Sequence, residues 1–473
     1  MAIKFYNFLS RKKEVFKPIR KGNVNFYVCG PTVYNLVHIG NLRTYVFEDV
    51  LRRVLKFNGY KVKQIMNITD VEDKIIKKAE QEKKNIYQIT RPYTKLFFDD
   101  LKKLNIEKAE RYPLATKHIK EMVVLIKKMI SKGFAYQSED GSIYFNISKF
   151  KNYGKLSQLK KRELKMDARV NADEYNKEQA QDFVLWKSKK SNEPFWKSSF
   201  GDGRPGWHIE CSAMSMKYLG KTFDIHCGAV DLIFPHHENE IAQSESVTGK
   251  KFVNYWIEGE HLLIDGQKMS KSLDNIYPLE ELEKRGFNPL AFRYLILTSH
   301  YRSKLNFTWR SLQASANALN NLYNEITRIN ADKKPIYADK KSALIRRNQH
   351  QSAHKKEFLS IINDDLNTPQ AIALIWRIIK DNKLSNTAKK QMILEFDKVL
   401  GLGFNLYAGR QSKIKLVKIP LKIKQLAEKR EKLRTNKQFI PADLLRKQIE
   451  KLGYNIKDTL NGSEITPTGH HNK

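Results

Sequence analysis

The sequence predicts an α/β protein: a parallel sheet with helices, interrupted by an insertion and followed by an all-α C-terminal region. Three observations predict this fold. Strand and helix patterns alternate within the first 70 residues, a hairpin and a polar stretch interrupt that pattern between residues 134 and 205, and helical periodicity prevails from about residue 308 onward. In sheets of this kind, ligands bind at the carboxyl ends of the strands.

The first 70 residues carry a β-α-β pattern. Residues 25–29 form a short apolar run that ends at a Gly-Pro turn, residues 41–57 place apolar side chains at helical spacing, and residues 62–68 predict a second strand. A strand, a crossover helix and a strand of this length predict two parallel neighbours. We therefore expect a Rossmann-like parallel-sheet domain.

Changes of pattern divide the rest of the chain. Apolar triplets at 134–136 and 143–145 flank Glu-Asp-Gly and predict a hairpin, whereas the polar residues 149–181 show little periodicity. The expected segments are the first half of the Rossmann-like catalytic domain at 1–133, a connective insertion at 134–205, the second half of the catalytic domain at 206–307, a helical bundle at 308–402 and a basic module at 403–473.

The charge of the chain favours a polyanionic partner. There are 86 Lys and Arg residues against 51 Asp and Glu, a net charge of +35. Such a surplus attracts phosphate-rich ligands, since each cationic contact releases counterions. The lysines are scattered over the whole chain, however, so a general lysine-rich composition is the alternative explanation.

Composition also excludes several classes of protein. Apolar runs are only a few residues long, which excludes a membrane span, and the first residues lack the apolar stretch of a secretory signal. Three widely separated cysteines make a poor disulfide framework and fit a reducing compartment. We expect a cytoplasmic protein.

The loop after the first strand has features of a phosphate site. Gly40 opens the predicted helix, whose free N–H groups and dipole favour an anion, and His38 can donate a hydrogen bond to a phosphoryl oxygen. Gly40 also lets a flat base lie against the backbone. Asn41 follows it. Alone, this tetrapeptide is equally a polar loop with a chance histidine.

A second segment, residues 268–272, is a cationic loop. It reads Lys-Met-Ser-Lys-Ser and follows a predicted strand and an Asp-Gly turn. Lys268, Ser270 and Lys271 offer charge and hydrogen bonds for a triphosphate. As an isolated charge run it would be a solvated loop; its pairing with the His38 loop makes a nucleotide site the better interpretation.

Cysteine, histidine and glutamate residues suggest a zinc site. Two thiolates, an imidazole and a carboxylate suit tetrahedral zinc, but the spacing matches no common zinc finger and leaves the ligands open. The candidates are Cys29, Cys211, His236 and Glu240, with His208 and His237 as rivals. Cys227 alternates with apolar residues on one strand and is expected to be a buried core thiol.

Taken together, these motifs carry a family resemblance. The loops at His38 and Lys268 resemble the HIGH and KMSKS signatures of class I aminoacyl-tRNA synthetases, with Asn41 in place of the final histidine. The runs that look like the cysteinyl-tRNA synthetase family are 27–34, 67–76, 204–214 and 234–242.

The resemblance implies an activity and a set of site residues. The expected reaction joins L-cysteine to tRNA(Cys) with ATP through a cysteinyl adenylate, and one zinc ion per chain selects the substrate thiolate without an editing site. The implied residues are Cys29, Cys211, His236 and Glu240 for zinc, Gly30, Thr32, Thr69 and Trp207 for cysteine, His38, Gly40, Asn41, Lys268, Ser270 and Lys271 for ATP with Mg²⁺, and His38, Asn41, Lys268 and Lys271 for catalysis.

The C-terminal segment resembles the family's anticodon-binding module, with a closing turn at 458–463. Ile465 stands where the family commonly has tryptophan, so one base-stacking contact worth about 1–3 kcal/mol is absent. Two other functions remain as alternatives: a cysteine ligase for an amino-sugar inositol acceptor and a zinc-dependent nucleic-acid-binding protein. We expect a monomer with no membrane partner.

Overall fold

The computed structural model describes residues 2–159, 164–170, 180–270, 273–331, 341–407, 420–436, 438–459 and 462–467. Its strands are β1 Lys4–Asn7, β2 Lys12–Val15, β3 Asn23–Val28, β4 Lys61–Met66, β5 Ala135–Gln137, β6 Ile143–Phe145, β7 Leu164–Val170, β8 Ala180–Ser188, β9 Gly203–Pro205, β10 Phe223–Ala229, β11 Val253–Gly259, β12 Leu262–Ile264, β13 Gln267–Lys268, β14 Leu305–Phe307, β15 Tyr454–Thr459 and β16 Gly462–Pro467.

The helices occupy most of the remaining described residues. They are α1 Ile39–Phe57, α2 Asp73–Gln81, α3 Ile86–Lys103, α4 Ile119–Ser131, α5 Trp207–Leu219, α6 Glu238–Thr248, α7 Leu279–Lys284, α8 Pro289–Leu297, α9 Trp309–Ala331, α10 Lys341–Asn363, α11 Thr368–Lys380, α12 Asn386–Leu400, α13 Phe404–Tyr407, α14 Leu421–Thr435 and α15 Phe439–Lys451. Among the described residues, no helix is long and apolar enough to cross a membrane.

The predicted parallel sheet is confirmed. Its strand order is β11-β10-β3-β4, and every neighbouring pair is parallel. The helix α1 connects β3 to β4, and α6 connects β10 to β11, so both are crossover helices of the kind that parallel strands require. The ends of β3 and β10 lie side by side, where Cys227 pairs with Val28.

The insertion holds a sheet that the sequence analysis only partly anticipated. The expected hairpin is β5 paired with β6, and the sheet continues as β5-β6-β8-β7 with β9 on β8. The strand β8 escaped notice because Phe183–Trp186 is a continuous buried apolar run with no period-two alternation. The insertion shares one apolar core with α4, α5 and α6.

The C-terminal half is helical, as expected, with an added hairpin. The helices α9 to α12 pack into the same apolar core as α1 and α8. After α15, β15 and β16 form an antiparallel pair in which Asp458 faces Ser463, so the expected closing turn lies between two strands. The side chain of Ile465 and the predicted joint at 333–335 lie outside the described residues.

A buried ionic junction joins α1 to the helical half. Arg293 on α8 is fully buried and donates to the Asp49 carboxylate at 2.6 Å and to the carbonyl oxygen of Leu400 at 2.7 Å. Arg53 donates to the same carboxylate at 2.7 Å and to the carbonyl oxygen of Lys398 at 3.1 Å. The end of α12 is thereby bonded to the helix that begins at the His38 loop.

Candidate active site and metal centre

A cavity of about 540 Å³ opens at the carboxyl ends of β3 and β10. It lies where parallel sheets bind ligands. Predicted site residues at its wall are Cys29, Gly30, Thr32, His38, Gly40, Asn41, Trp207 and Lys268. The structure therefore brings together residues from the first strand, the His38 loop, α5 and the Lys268 loop.

Cys29, Cys211, His236 and Glu240 converge beside this cavity, and Cys29 forms part of its wall. They offer one donor atom each, all within 4.8 Å of one another, and all four residues are buried. Sγ of Cys29 lies 4.0 Å from Sγ of Cys211, and Nε2 of His236 lies 3.1 Å from Oε1 of Glu240. Tetrahedral donors at zinc bond lengths of about 2.0–2.3 Å would be about 3.3–3.8 Å apart, and these two separations lie a few tenths of an ångström to either side of that range, so the set is compatible with zinc.

A second donor set shares two of these residues. Cys29 and Glu240 also lie within 4.8 Å of His226 and His237, which are buried as well. Nε2 of His237 is 3.7 Å from Sγ of Cys29, and Nε2 of His226 is 2.9 Å from Oε2 of Glu240. This set holds one thiol where the first holds two, so the first set is the softer and suits zinc better. His237, a rival ligand in the sequence, belongs to the second set.

The buried donors polarise one another. Burial opposes ionisation of Cys211, but the hydrogen bond from Cys29 and the charge of His236 outweigh it and lower the pKa of Cys211 to about 6. Against burial, Glu240 and Cys211 raise the pKa of His236 to about 10. Burial raises the pKa of Cys29 well above its ordinary value. A bound metal would displace the protons on His236 and Cys29.

Neighbouring side chains support the imidazole of His236. Its Nδ1 lies 2.9 Å from Nδ1 of His208, and the Trp207 ring stacks on it with centroids 4.4 Å apart. His208, the other rival ligand, belongs to neither donor set. It contacts a candidate ligand, as residues that orient metal-bound histidines do.

Three of the four predicted cysteine-binding residues line the cavity, and the fourth, Thr69, is buried. Gly30, Thr32 and Trp207 line the cavity. Thr69 is 1% exposed, and its hydroxyl donates to Oε2 of the buried Glu210 at 2.9 Å. Gly30 has no room for a side chain, because a Cβ there would collide with the carbonyl of Asn67.

The nucleotide side is built around the start of α1. His38 caps the helix, and Gly40 lies between the His38 ring and the Met269 methyl group. A Cβ at Gly40 would collide with Met269 and would lie 3.0 Å from Nδ1 of His38. The Lys268 loop therefore rests directly on the helix start that the sequence analysis assigned to phosphate.

A buried asparagine closes the Lys268 loop. Oδ1 of Asn275 accepts the N–H of Ser270 at 2.8 Å, and Nδ2 of Asn275 donates to the carbonyl oxygen of Lys268 at 3.2 Å. Lys268 itself is exposed. Lys271, the other predicted catalytic lysine, lies outside the described residues.

Sequence reasoning missed His226, Glu258 and Asn275. His226 and Glu258 are fully buried, and Nδ1 of His237 lies 3.0 Å from Oε1 of Glu258. The alternation that predicted a core position for Cys227 places His226 on the opposite face of β10, and that signal was available. No spacing rule points to Glu258 or Asn275, because their partners are set by tertiary packing.

Comparison with protein families follows this geometry. The family model described as "tRNA synthetases class I (C) catalytic domain" matches residues 15–317. The chain is 45% identical over 469 residues to the cysteine--tRNA ligase of Chlamydia caviae, covering 97% of each chain. It is 46% identical over 475 residues to that of Leptospira interrogans, covering 98% of each.

Solved structures agree on the fold. A methionyl-tRNA synthetase of Mycobacterium tuberculosis bound by methionyl-adenylate has a TM-score of 0.57 at 13% identity, covering 80% of this chain and 88% of that one. The LeuRS of Agrobacterium radiobacter, in a ternary complex with tRNA and LeuAMS, has a TM-score of 0.56 at 11% identity, covering 85% of this chain and 87% of that one. At these identities the likeness concerns the fold alone.

Proposed function

The chain belongs to the cysteine--tRNA ligases, a family of class I aminoacyl-tRNA synthetases, and we propose that it acts through a cysteinyl adenylate with zinc-based selection of cysteine. It is an enzyme that ligates L-cysteine to tRNA(Cys) and uses ATP. Full-length similarity to curated ligases carries this conclusion, and the convergence of two thiols, an imidazole and a carboxylate beside the cavity supports the finer proposal.

Zinc, one ion per chain, would be held by Cys29, Cys211, His236 and Glu240. The ion supplies a soft Lewis acid that prefers a substrate thiolate to a hydroxyl, which distinguishes cysteine from the near-isosteric serine. His208 and Trp207 orient His236, and other residues that line the cavity position the substrate cysteine. Gly30, Thr32, Thr69 and Trp207 are the proposed cysteine-binding residues.

Adenylate formation would take place at the start of α1. The cysteine carboxylate attacks the α-phosphorus of ATP, and pyrophosphate leaves; Mg²⁺ bound with ATP would offset the negative charge of the phosphates. The residues proposed to bind ATP are His38, Gly40, Asn41, Lys268, Ser270 and Lys271. Of these, His38, Asn41, Lys268 and Lys271 are proposed to serve catalysis by positioning ATP and neutralising charge, since the reaction needs no protein nucleophile.

Transfer to tRNA would use the basic C-terminal part. We propose segments at 1–133, 134–205, 206–307, 308–402 and 403–473, with the last as an anticodon-binding module. Its helices α14 and α15 carry Lys429, Arg434 and Lys447 among other cations, which suits phosphate contacts. A monomer in the cytoplasm completes the proposal.

The two alternatives fit less well. A ligase for an amino-sugar inositol would not need the basic C-terminal part, yet the ligase relatives match 97–98% of the chain, that part included. A nucleic-acid-binding protein would not need the cavity that joins the buried donors to the His38 and Lys268 loops.

Cysteine-dependent ATP–pyrophosphate exchange tests the proposal. The enzyme should exchange pyrophosphate with cysteine, should fail with serine at equal concentration, and should then charge tRNA(Cys). Exchange that proceeds equally with serine would contradict zinc-based selection. Exchange without charging of tRNA would favour the small-acceptor ligase.

A further inference from the structure

His38 and Asn41 hold each other at the start of α1. The Nδ1 atom of His38 accepts the backbone N–H of Asn41 at 3.2 Å, and Oδ1 of Asn41 accepts the backbone N–H of His38 at 3.3 Å. These two bonds form a capping box, in which two of the helix's unsatisfied N-terminal donors find partners.

The capping box fixes the proton of the His38 ring. A nitrogen that accepts a hydrogen bond carries no proton, so the neutral ring must carry its proton on Nε2. Nδ1 faces the first turn of α1, where it would lie 3.0 Å from a Cβ on Gly40. Nε2 is on the other side of the ring, and His38 lines the cavity.

The surroundings keep this ring neutral. Burial lowers the pKa of His38, and the negative charge of Asp231 opposes that effect but is the smaller influence. Protonation would turn Nδ1 into a donor and break its bond to Asn41. Besides His38, the titratable and charged residues that line the same cavity are Cys29, Tyr34, Tyr45, Glu72, Lys74, Asp231, Glu260, His261 and Lys268.

We propose that Asn41 is a positioning residue that acts through His38: its carboxamide holds the His38 backbone in the capping conformation, and this keeps ring Nδ1 on the Asn41 N–H so that Nε2–H donates to the phosphates of ATP. The inference rests on the proposed function for its substrate, and it replaces the direct contact with ATP given there to Asn41 by an indirect one through His38. The proposal rests on the hydrogen bond that Oδ1 of Asn41 accepts from the His38 backbone. This bond fixes the backbone from which the His38 ring extends next to Gly40.

Three variants separate positioning from direct contact with ATP. Asn41→Ala removes the side-chain bond. Asn41→Asp keeps an oxygen acceptor but adds a negative charge beside the phosphates. Gln88→Ala is the matched control, because Asn85 and Gln88 form the same kind of capping box on α3, with bonds of 2.9 and 3.0 Å, and do not line the cavity.

The rate of pyrophosphate exchange should depend on the hydrogen bond between the Asn41 side chain and the His38 backbone. We expect Asn41→Ala to lower kcat about tenfold, less than the 10²–10³ that loss of a whole charge-stabilising donor costs, with KM for ATP within about twofold. Its kcat should fall on acidification through about pH 6.5, the ordinary pKa of histidine, whereas the wild type stays flat there.

The aspartate variant and the control complete the pattern. Asn41→Asp should retain kcat within about threefold and raise KM for ATP, because its carboxylate repels the phosphates. Gln88→Ala should leave kcat, KM and the pH profile unchanged. A rise in KM for ATP with Asn41→Ala, without any change in the pH profile, would assign Asn41 to direct nucleotide contact and overturn the proposal.

A measurement without turnover makes the test independent of the reaction. In protein labelled with ¹⁵N-histidine, the His38 ring signals, identified by their loss in His38→Gln, should report one Nε2–H tautomer in the wild type and exchange between tautomers in Asn41→Ala. Identical ring signals in both would overturn the positioning role. If the wild type lacked cysteine-dependent exchange, the proposed function would fail while the ring signals still decided this inference.

Discussion

On the metal side of the cavity the four candidate donors are at most 9% exposed, whereas on the nucleotide side Lys268 is exposed and its loop is closed by one asparagine. The metal side draws its donors from the end of β3, from α5 and from the segment before and within α6. Many tertiary contacts therefore determine it. The nucleotide side combines short-range bonds within one helix start and one loop with the contact between Gly40 and Met269.

This difference separates selection from catalysis. Buried, mutually polarised donors are preorganised before substrate arrives, which suits discrimination between sulfur and oxygen. The lysines of the Lys268 loop would place positive charge where negative charge develops on the phosphates, which suits rate enhancement. Variants on the two sides should therefore change different quantities.

The largest effect is expected for Lys271→Ala. Removal of one preorganised charge donor typically lowers kcat by about 10²–10³. Pyrophosphate exchange should show that loss while zinc content, measured by elemental analysis, stays at one ion per chain. Lys221→Ala, an exposed lysine outside the cavity, is the control. A loss below about threefold would mean that the loop does not act on the triphosphate.

Cys211→Ser should change the metal side alone. Since even residues that only orient a ligand cost 10–100-fold in metal affinity, loss of the ligand should cost about a hundredfold or more. Zinc titration measures this, and serine should compete better in exchange. Cys227→Ala is the matched control, because Cys227 is buried in the apolar core. Unchanged zinc affinity in Cys211→Ser would refute the ligand set.

Shortening the chain tests the separation of adenylation from tRNA binding. The cut belongs after Tyr407, because Phe404 is buried and its N–H donates to Asp397 at 2.8 Å, bonds that a cut at Gly403 would remove. The shortened enzyme should exchange pyrophosphate normally but bind tRNA more weakly, with a shallower salt dependence, since each phosphate contact contributes a log–log slope of about −0.9. An unchanged slope would exclude the C-terminal helices as a tRNA surface.

The smallest effect, none at all, is expected for hydrolysis of mischarged tRNA. The described residues of the insertion share their apolar core with α4, α5 and α6, so this part of it forms no separate hydrolytic domain. Ser-tRNA(Cys) incubated with the enzyme should persist as long as it does in buffer. Enzyme-dependent deacylation would show that selection is not confined to the metal side.

The sequence predicted the parallel sheet because apolar runs, turns and helical periodicity are local signals. It could not place Cys29 beside Cys211, since residues 182 positions apart meet only through the order of the strands. The family resemblance supplied the four zinc-ligand candidates, and their donor atoms lie close together in the structure. Glu258 was missed because its partner His237 is set by tertiary packing, and the strand β8 because continuous burial erases alternation. For His226 the alternation of β10 was a usable signal.

The junction of Arg293 with Asp49 has a consequence for unfolding. A fully buried ion pair that loses one partner leaves an uncompensated charge, which typically costs about 3–5 kcal/mol. The end of α12 cannot detach from α1 without exposing that charge pair and the backbone carbonyls bonded to Arg293 and Arg53. The catalytic sheet and the helical half should therefore melt as one cooperative unit, with the heat capacity change of a single large domain.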